Sequence, residues 1–149
     1  LIFSRQGLPH QTRDSEQVAN IAKGGYVLAK EKSELQAIII ATGSEVGLAM
    51  NAYNTLSEQG VGVRVVSMPC AEVFTAQDSD YRESVLPSNI RARVAVEAAH
   101  VDYWFKFVGL DGKVIGMTTY GESAPAGELF KEFGITDEAV VDAVNSLVK

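Results

Sequence analysis

Residues 35–49 read LQAIIIATGSEVGLA and contain the clearest indication of the fold. Its apolar run is rich in β-branched residues and ends in small turn residues, which is typical of a strand buried on both faces of a parallel sheet. Ser44 is suited to cap the following helix, and Glu45 then lies in the first turn, where a negative charge suits the helix dipole. Apolar residues recur at helical spacing as far as Gly60. The stretch therefore predicts a strand–turn–helix unit, and residues 61–67 (VGVRVVS) supply the next strand.

Alternating strand and helix patterns along the rest of the chain predict a doubly wound α/β domain. The pattern predicts parallel strands at residues 38–42, 63–67, 93–97 and 114–117, and a short strand at 24–28 (GGYVL). It predicts helices at residues 78–85, after an Asp102 cap, after a Ser123 cap and after a Thr136 cap. The helix after Ser123 should bury a stripe made of Ala126, Leu129, Phe130 and Phe133. Right-handed crossovers then place helices on both faces of the sheet.

Composition excludes several classes of function. The chain has 149 residues, 46% of them hydrophobic and 21% charged, which corresponds to about one domain. Its net charge of −6 argues against nucleic acid or an anionic membrane as the main partner. The single Cys70 forms no internal disulfide, and a cytoplasmic location is expected. Because the sequence opens on LIF without a methionine, we interpret it as a fragment of a larger protein.

The turn at residues 42–45 is one candidate site, because a helix N-terminus can hold a phosphate. It lacks the glycine spacing of a dinucleotide fingerprint and the lysine of a P-loop. An empty connection between strand and helix is the favoured interpretation, and anion binding is the alternative.

Other polar residues also follow predicted strands. His100 lies beside Glu97 and Asp102 at a strand end, where α/β folds place sites, although a solvated loop residue is the favoured interpretation. Glu122 is a further candidate carboxylate. We expect Arg91 and Arg93 to flank a strand in solvent, and the aromatic residues Trp104, Phe105 and Phe107 to lie in the core or in an oligomer contact. No spacing matches a zinc site or a GxSxG nucleophile elbow.

The chain resembles the C-terminal region of transketolases over essentially its whole length. The resemblance is carried by LIFSRQGLP at residues 1–9, GGYVL at 24–28, IATGSEV at 40–46, RVVSMP at 64–69, YRESVLP at 81–87, RVAVEA at 93–98, DYWFKFVG at 102–109 and MTTYGESAPAGELFKEFGIT at 117–136. It implies that residues 1–22 are the tail of an upstream middle domain plus a linker. Residues 23–149 are then the C-terminal domain.

The resemblance also implies a fold and a function. The fold is a three-layer α/β/α domain with a mixed, mostly parallel five-stranded sheet, whose antiparallel edge strand is residues 24–28. The family's enzyme is a homodimer of the pentose phosphate pathway that uses thiamine diphosphate and a divalent metal (Mg or Ca). It transfers a two-carbon ketol unit between sugar phosphates. The C-terminal domain is expected to be structural and dimer-supporting, without a cofactor site, and the isolated fragment is expected to be inactive.

The resemblance assigns one functional residue to this chain. Arg5 of the SRQ motif corresponds to a family arginine that contacts the substrate phosphate. Catalytic, cofactor-binding and metal-ligating residues are expected upstream, since the family's GDG metal motif is absent here. Gly7 stands where the family often has Asn, which should loosen the loop after Arg5, and Cys70 stands where it often has Ser.

Two alternatives stay open. The chain can be a free-standing α/β ligand-binding module that uses the turn at residues 42–45. It can also be the matching domain of a related thiamine diphosphate enzyme, such as a pyruvate dehydrogenase β subunit or deoxyxylulose phosphate synthase. The SRQ and GESAP stretches favour transketolase.

Overall fold

The sheet has five strands in the order β1-β3-β2-β4-β5, as seen in a computed structural model that describes residues 6–148. The strands are β1 (Tyr26–Ala29), β2 (Ala37–Ala41), β3 (Val63–Ser67), β4 (Arg93–His100) and β5 (Lys113–Met117). The edge strand β1 runs antiparallel to β3, and the other neighbouring pairs are parallel. The mixed, mostly parallel sheet that was predicted is therefore confirmed.

Helices connect the strands. They are α1 (Ser15–Asn20), α2 (Val46–Glu58), α3 (Ala71–Thr75), α4 (Ser79–Val85), α5 (Phe105–Val108), α6 (Ala126–Glu132) and α7 (Asp137–Leu147). Within residues 6–148, no helix has both the length and the apolar character needed to cross a bilayer.

Strand β2 is buried along its whole length because helices cover both faces of the sheet. Ile39 belongs to the core that β2 and β3 share with α2 and α7. Ile38 and Ile40 belong to the core on the other face, which contains Phe74 and Trp104. This division explains the unbroken apolar run of β2, since alternate residues point to opposite faces and both faces are dry.

Three predicted helix starts are wrong. Helix α2 begins at Val46, after a short 3₁₀ helix at Gly43–Glu45, and the Ser44 hydroxyl donates to Glu45 Oε1 at 2.7 Å instead of capping. Helix α6 begins only at Ala126. The residue before a proline is disfavoured in helical conformation, so Pro125 prevents a start at Ser123. Asp102 does not cap either: its amide donates to His100 Nδ1 at 3.4 Å, and His100 is the cap of the 3₁₀ helix Val101–Trp104.

Helix α7 starts as predicted. The Thr136 hydroxyl accepts a hydrogen bond from the Ala139 amide at 3.2 Å, and Ile135 and Val140 on either side of the cap are buried. The predicted stripe of α6 is only half-buried: Ala126 is exposed and no residue of that helix is fully buried.

Candidate functional site

The carboxyl ends of β2 and β4 are the place where the chain leaves the sheet in opposite directions. The chain after β2 joins the core containing Val46, and the chain after β4 joins the core containing Trp104. Such a reversal between neighbouring parallel strands is where open α/β sheets place ligands. Two carboxylates, Glu45 and Glu97, lie at this point.

Glu45 is a buried acid with only 4% of its surface exposed. Burial raises the pKa of its carboxyl above the ordinary value, and the nearby charge of Glu97 raises it further. Hydrogen bonds from the Ser44 hydroxyl and from the backbone amides of Glu45 and Ala98 oppose that rise in pKa. The Glu45 carboxyl therefore keeps its proton to a higher pH than an exposed glutamate does.

Glu97 is held by the aromatic core. Its Oε2 accepts a hydrogen bond of 2.6 Å from Trp104 Nε1, and Trp104 is 2% exposed. Trp104 packs edge-on against Tyr103 and tilted against Phe107. Of the aromatic residues considered for the core or an oligomer contact, Trp104 and Phe107 are therefore core residues, and Phe105 stays 47% exposed.

In the turn at residues 42–45, the polar side chains form hydrogen bonds with each other. Ser44 is hydrogen-bonded to Glu45, and the Glu45 carboxyl is buried at the helix start. Because the Ser44 hydroxyl and the Glu45 amide already donate to this carboxyl, the arrangement favours the empty connection over phosphate binding.

His100 does not join a catalytic cluster. The ring is exposed, and its Nδ1 lies 3.5 Å from Asp102 Oδ2. Glu122 and Ser123 are exposed in the segment between β5 and α6. In residues 6–148, no three side chains of His, Cys, Asp or Glu come together as a group able to hold a metal ion.

Arg93 is not in solvent, which corrects the prediction. Its guanidinium donates to the carbonyls of Ile90 (2.9 Å), Phe107 (2.8 Å), Leu86 (3.1 Å) and Pro87 (2.8 Å). Burial lowers the pKa of Arg93 from its ordinary value. Arg93 thus holds the loop before β4 against α5, whereas Arg91 is exposed and pairs with Asp111 at 2.5 Å.

Arg5 lies outside the described residues. The segment that follows it is fastened to the domain by Arg13, which donates to the Tyr26 hydroxyl at 2.6 Å, and by Gln17, which donates to the carbonyls of Val27 (3.1 Å) and Leu28 (2.8 Å). These contacts could not be predicted from the sequence, because a polar run does not indicate which residues it will contact. A signal was present in Asp14 and Gln17, whose spacing forms the capping box of α1.

The family model and the relatives compared with this chain point to the same protein family. A model of the transketolase-like C-terminal domain matches residues 24–136. Transketolase 1 of Vibrio cholerae is 57% identical over 148 residues, which cover 99% of this chain and 22% of the relative. Transketolase 1 of Escherichia coli K12 is also 57% identical, with the same coverage. The chain thus spans less than a quarter of the length of these relatives.

Solved structures with a similar fold belong to the same family. A transketolase from Leishmania mexicana superposes with a TM-score of 0.81 at 42% identity, over 89% of this chain and 19% of that one. A transketolase from Pichia stipitis in complex with sedoheptulose-7-phosphate superposes with a TM-score of 0.84 at 35% identity, over 97% of this chain and 20% of that one. The described fold, the family model and the relatives agree along the chain, and we conclude that this chain belongs to the transketolase family and corresponds to its C-terminal domain.

Proposed function

We propose that this chain is part of a longer transketolase, which transfers a two-carbon ketol unit between sugar phosphates with the help of thiamine diphosphate and a divalent metal. The observation that carries the proposal is 57% identity to a transketolase over 99% of the chain. A related structure in complex with sedoheptulose-7-phosphate supports sugar phosphates as the substrate class.

Within that enzyme, residues 1–22 form the tail of the middle domain plus the linker, and residues 23–149 form a structural, dimer-supporting domain. The cofactor and the metal bind elsewhere in the dimer. Glu97 and Arg93 are engaged by Trp104 and by backbone carbonyls, as expected of structural residues. Cytoplasmic location stays part of the proposal.

Arg5 supplies the contact to the terminal phosphate of the sugar. A guanidinium suits this role because its planar fork donates two parallel hydrogen bonds to phosphate oxygens. The phosphate is remote from the reacting carbonyl, and its charge does not change in the transition state. The contact should therefore contribute equally to the binding of the ground state and of the transition state.

The test is Arg5→Ala in the full-length enzyme, assayed with an aldose acceptor and with the same aldose carrying a terminal phosphate. We expect KM for the phosphorylated acceptor to rise about 10- to 150-fold, the equivalent of one charged hydrogen bond, with little change in kcat. KM for the unphosphorylated acceptor should not change.

Arg91→Ala is the matched control, since it removes an exposed arginine that pairs only with Asp111 among the contacts described. It should leave both acceptors unaffected. An equal loss on the two acceptors in Arg5→Ala would contradict the phosphate role, because only the phosphorylated sugar can sense the missing contact.

A further inference from the structure

A cleft of about 470 Å³ lies at the carboxyl ends of β2 and β3, next to the segment that precedes α1. Tyr26 and Ser67 line it from the sheet, and Val46 and Gly47 line it from the start of α2. Pro9 of the segment lies against that helix, since a Cβ built on Gly47 would be 3.5 Å from Pro9 Cγ. The volume of this β2–β3 cleft is within the range of small-molecule sites.

The charged side chains of the β2–β3 cleft are basic. Arg13 and His10 line it, and no Asp or Glu among residues 6–148 does, although the chain has a net charge of −6. The larger cavity between α2 and α6, by contrast, is lined by Asp137 and Glu138. The carboxyl of Glu45, in the neighbouring turn, accepts from an amide of β4 and is not part of the lining. The β2–β3 cleft therefore suits an anion.

Arg13 is held in place but keeps donors free. Its Nε donates to the Tyr26 hydroxyl at 2.6 Å, and its Nη1 donates to the carbonyl of Gln11 at 2.7 Å. Tyr26 is 2% exposed, so the guanidinium rests on a rigid anchor. Nη2 has no acceptor among residues 6–148, and no carboxylate there forms an ion pair with Arg13. A half-buried guanidinium that is fixed and unpaired is well suited to bind an oxyanion.

Ser67 supplies a second polar group without a partner. It is 5% exposed and lines the cleft at the end of β3. Its side chain shares a face of the sheet with Val65, because alternate residues of a strand point the same way, and this is the face that α2 covers. Within residues 6–148 its hydroxyl forms no hydrogen bond. Since buried polar groups are normally hydrogen-bonded, this hydroxyl is available to a bound ligand.

We propose that the β2–β3 cleft binds the phosphate group of a small organic phosphate. Arg13 Nη2 and the Ser67 hydroxyl donate to phosphate oxygens, and the exposed His10 ring supplies a further N–H. Phosphate suits the cleft because its oxygens accept from donors that approach from several directions. The apolar part of the lining accommodates the carbon skeleton of the ligand and includes Leu8, Ile21 and Val46. The proposed function assigns no ligand to any of these residues.

The experiment is hydrogen exchange of the full-length enzyme, measured by mass spectrometry, with inorganic phosphate as the probe. Chloride at the same ionic strength is the reference. Phosphate should slow exchange in peptides spanning residues 8–14 and 43–48, by about tenfold at about ten times Kd, because the cleft must release the ion before it opens. Arg13→Met should abolish the slowing. Arg91→Met, which removes an exposed arginine, is the matched control and should retain it.

Ser67→Ala remains informative if Arg13→Met loosens the segment, since the Ser67 hydroxyl holds no other part of residues 6–148. It should raise Kd for phosphate about tenfold or more, the equivalent of one hydrogen bond to a charged group. Ser44→Ala is its matched control. Ser44 lines the same cleft, but its hydroxyl already donates to Glu45 at 2.7 Å, so the substitution should leave Kd unchanged.

Several results would overturn the phosphate site. Equal slowing by chloride would show a response to ionic strength and not to phosphate. Slowing that persists in Arg13→Met, or an unchanged Kd in Ser67→Ala, would remove the donors on which the site depends. An equal loss of affinity in Ser44→Ala and Ser67→Ala would assign the ion to the turn at residues 42–45, which contradicts binding by Arg13 and Ser67.

Discussion

Arg93 and Glu45 are two charged side chains that the fold takes out of water in different ways. Arg93 replaces its hydration with four backbone carbonyls, so its charge is retained although its pKa is lowered. Glu45 accepts hydrogen bonds from Ser44 and from two backbone amides, but its burial outweighs them and the pKa of its carboxyl is raised. Substitution of either residue should therefore change the stability of the protein measurably.

Glu45→Gln should make the protein more stable at high pH. A carboxyl whose pKa is higher in the folded than in the unfolded chain binds more protons when folded, so stability is greatest below the unfolded value and falls as pH rises through the folded value. The amide never ionises and avoids this loss. Thermal unfolding across pH 4 to 8 should show the variant gaining relative to wild type as pH rises.

Glu34→Gln is the control for that experiment, because Glu34 is exposed in the loop before β2. Its difference in melting temperature from wild type should stay nearly flat over the same pH interval. A flat profile for Glu45→Gln as well would show that the buried carboxyl carries no pH-dependent cost.

Arg93→Met should destabilise the fold strongly. Methionine keeps most of the length of the side chain but leaves four carbonyls without their donor, and we expect a loss of about 2–4 kcal/mol in the free energy of unfolding. Urea denaturation measures it. Arg91→Met, which breaks only an exposed pair, should cost less than about 0.5 kcal/mol, and equal losses in the two variants would contradict the role given to Arg93.

At the scale of elements, the sequence predicted strands and helices better than it predicted their ends. The apolar run of β2 has one physical explanation, since residues that are apolar on both faces need cover on both. The residues at the start of α2 are compatible with more than one structure, because Ser44 can either cap a helix or form a hydrogen bond with its neighbour. The choice depends on Glu45, whose burial is set by packing at the sheet edge and leaves no trace in local sequence.

Amide exchange tests the order of the sheet. Strand β2 is paired on both sides, by β3 and β4, whereas within residues 6–148 β5 is paired on one side, by β4. The amides of Ile38, Ile39 and Ile40 should therefore exchange only on global unfolding, and those of β5 should exchange faster. Equal exchange rates in the two strands would contradict the central position of β2.

At the scale of the whole molecule, family resemblance supplied what local patterns could not. Composition and periodicity predicted an α/β domain but no convincing active site. The polar residues at the carboxyl edge of the sheet explain this result, because they are hydrogen-bonded to one another. Glu97 accepts from Trp104, and Ser44 donates to Glu45. The contact between Arg13 and Tyr26 was beyond sequence reasoning, because it joins a polar run to a core strand only after the segment has docked.

We propose that this chain is a supporting domain and that the cofactor binds elsewhere in the enzyme. The most direct test is titration calorimetry of residues 1–149 with thiamine diphosphate and magnesium, after a cooperative thermal transition has shown that the chain folds. The full-length enzyme is the positive control. We expect binding heat for the full-length enzyme and none for the chain, and micromolar binding by the folded chain would contradict the proposed supporting role.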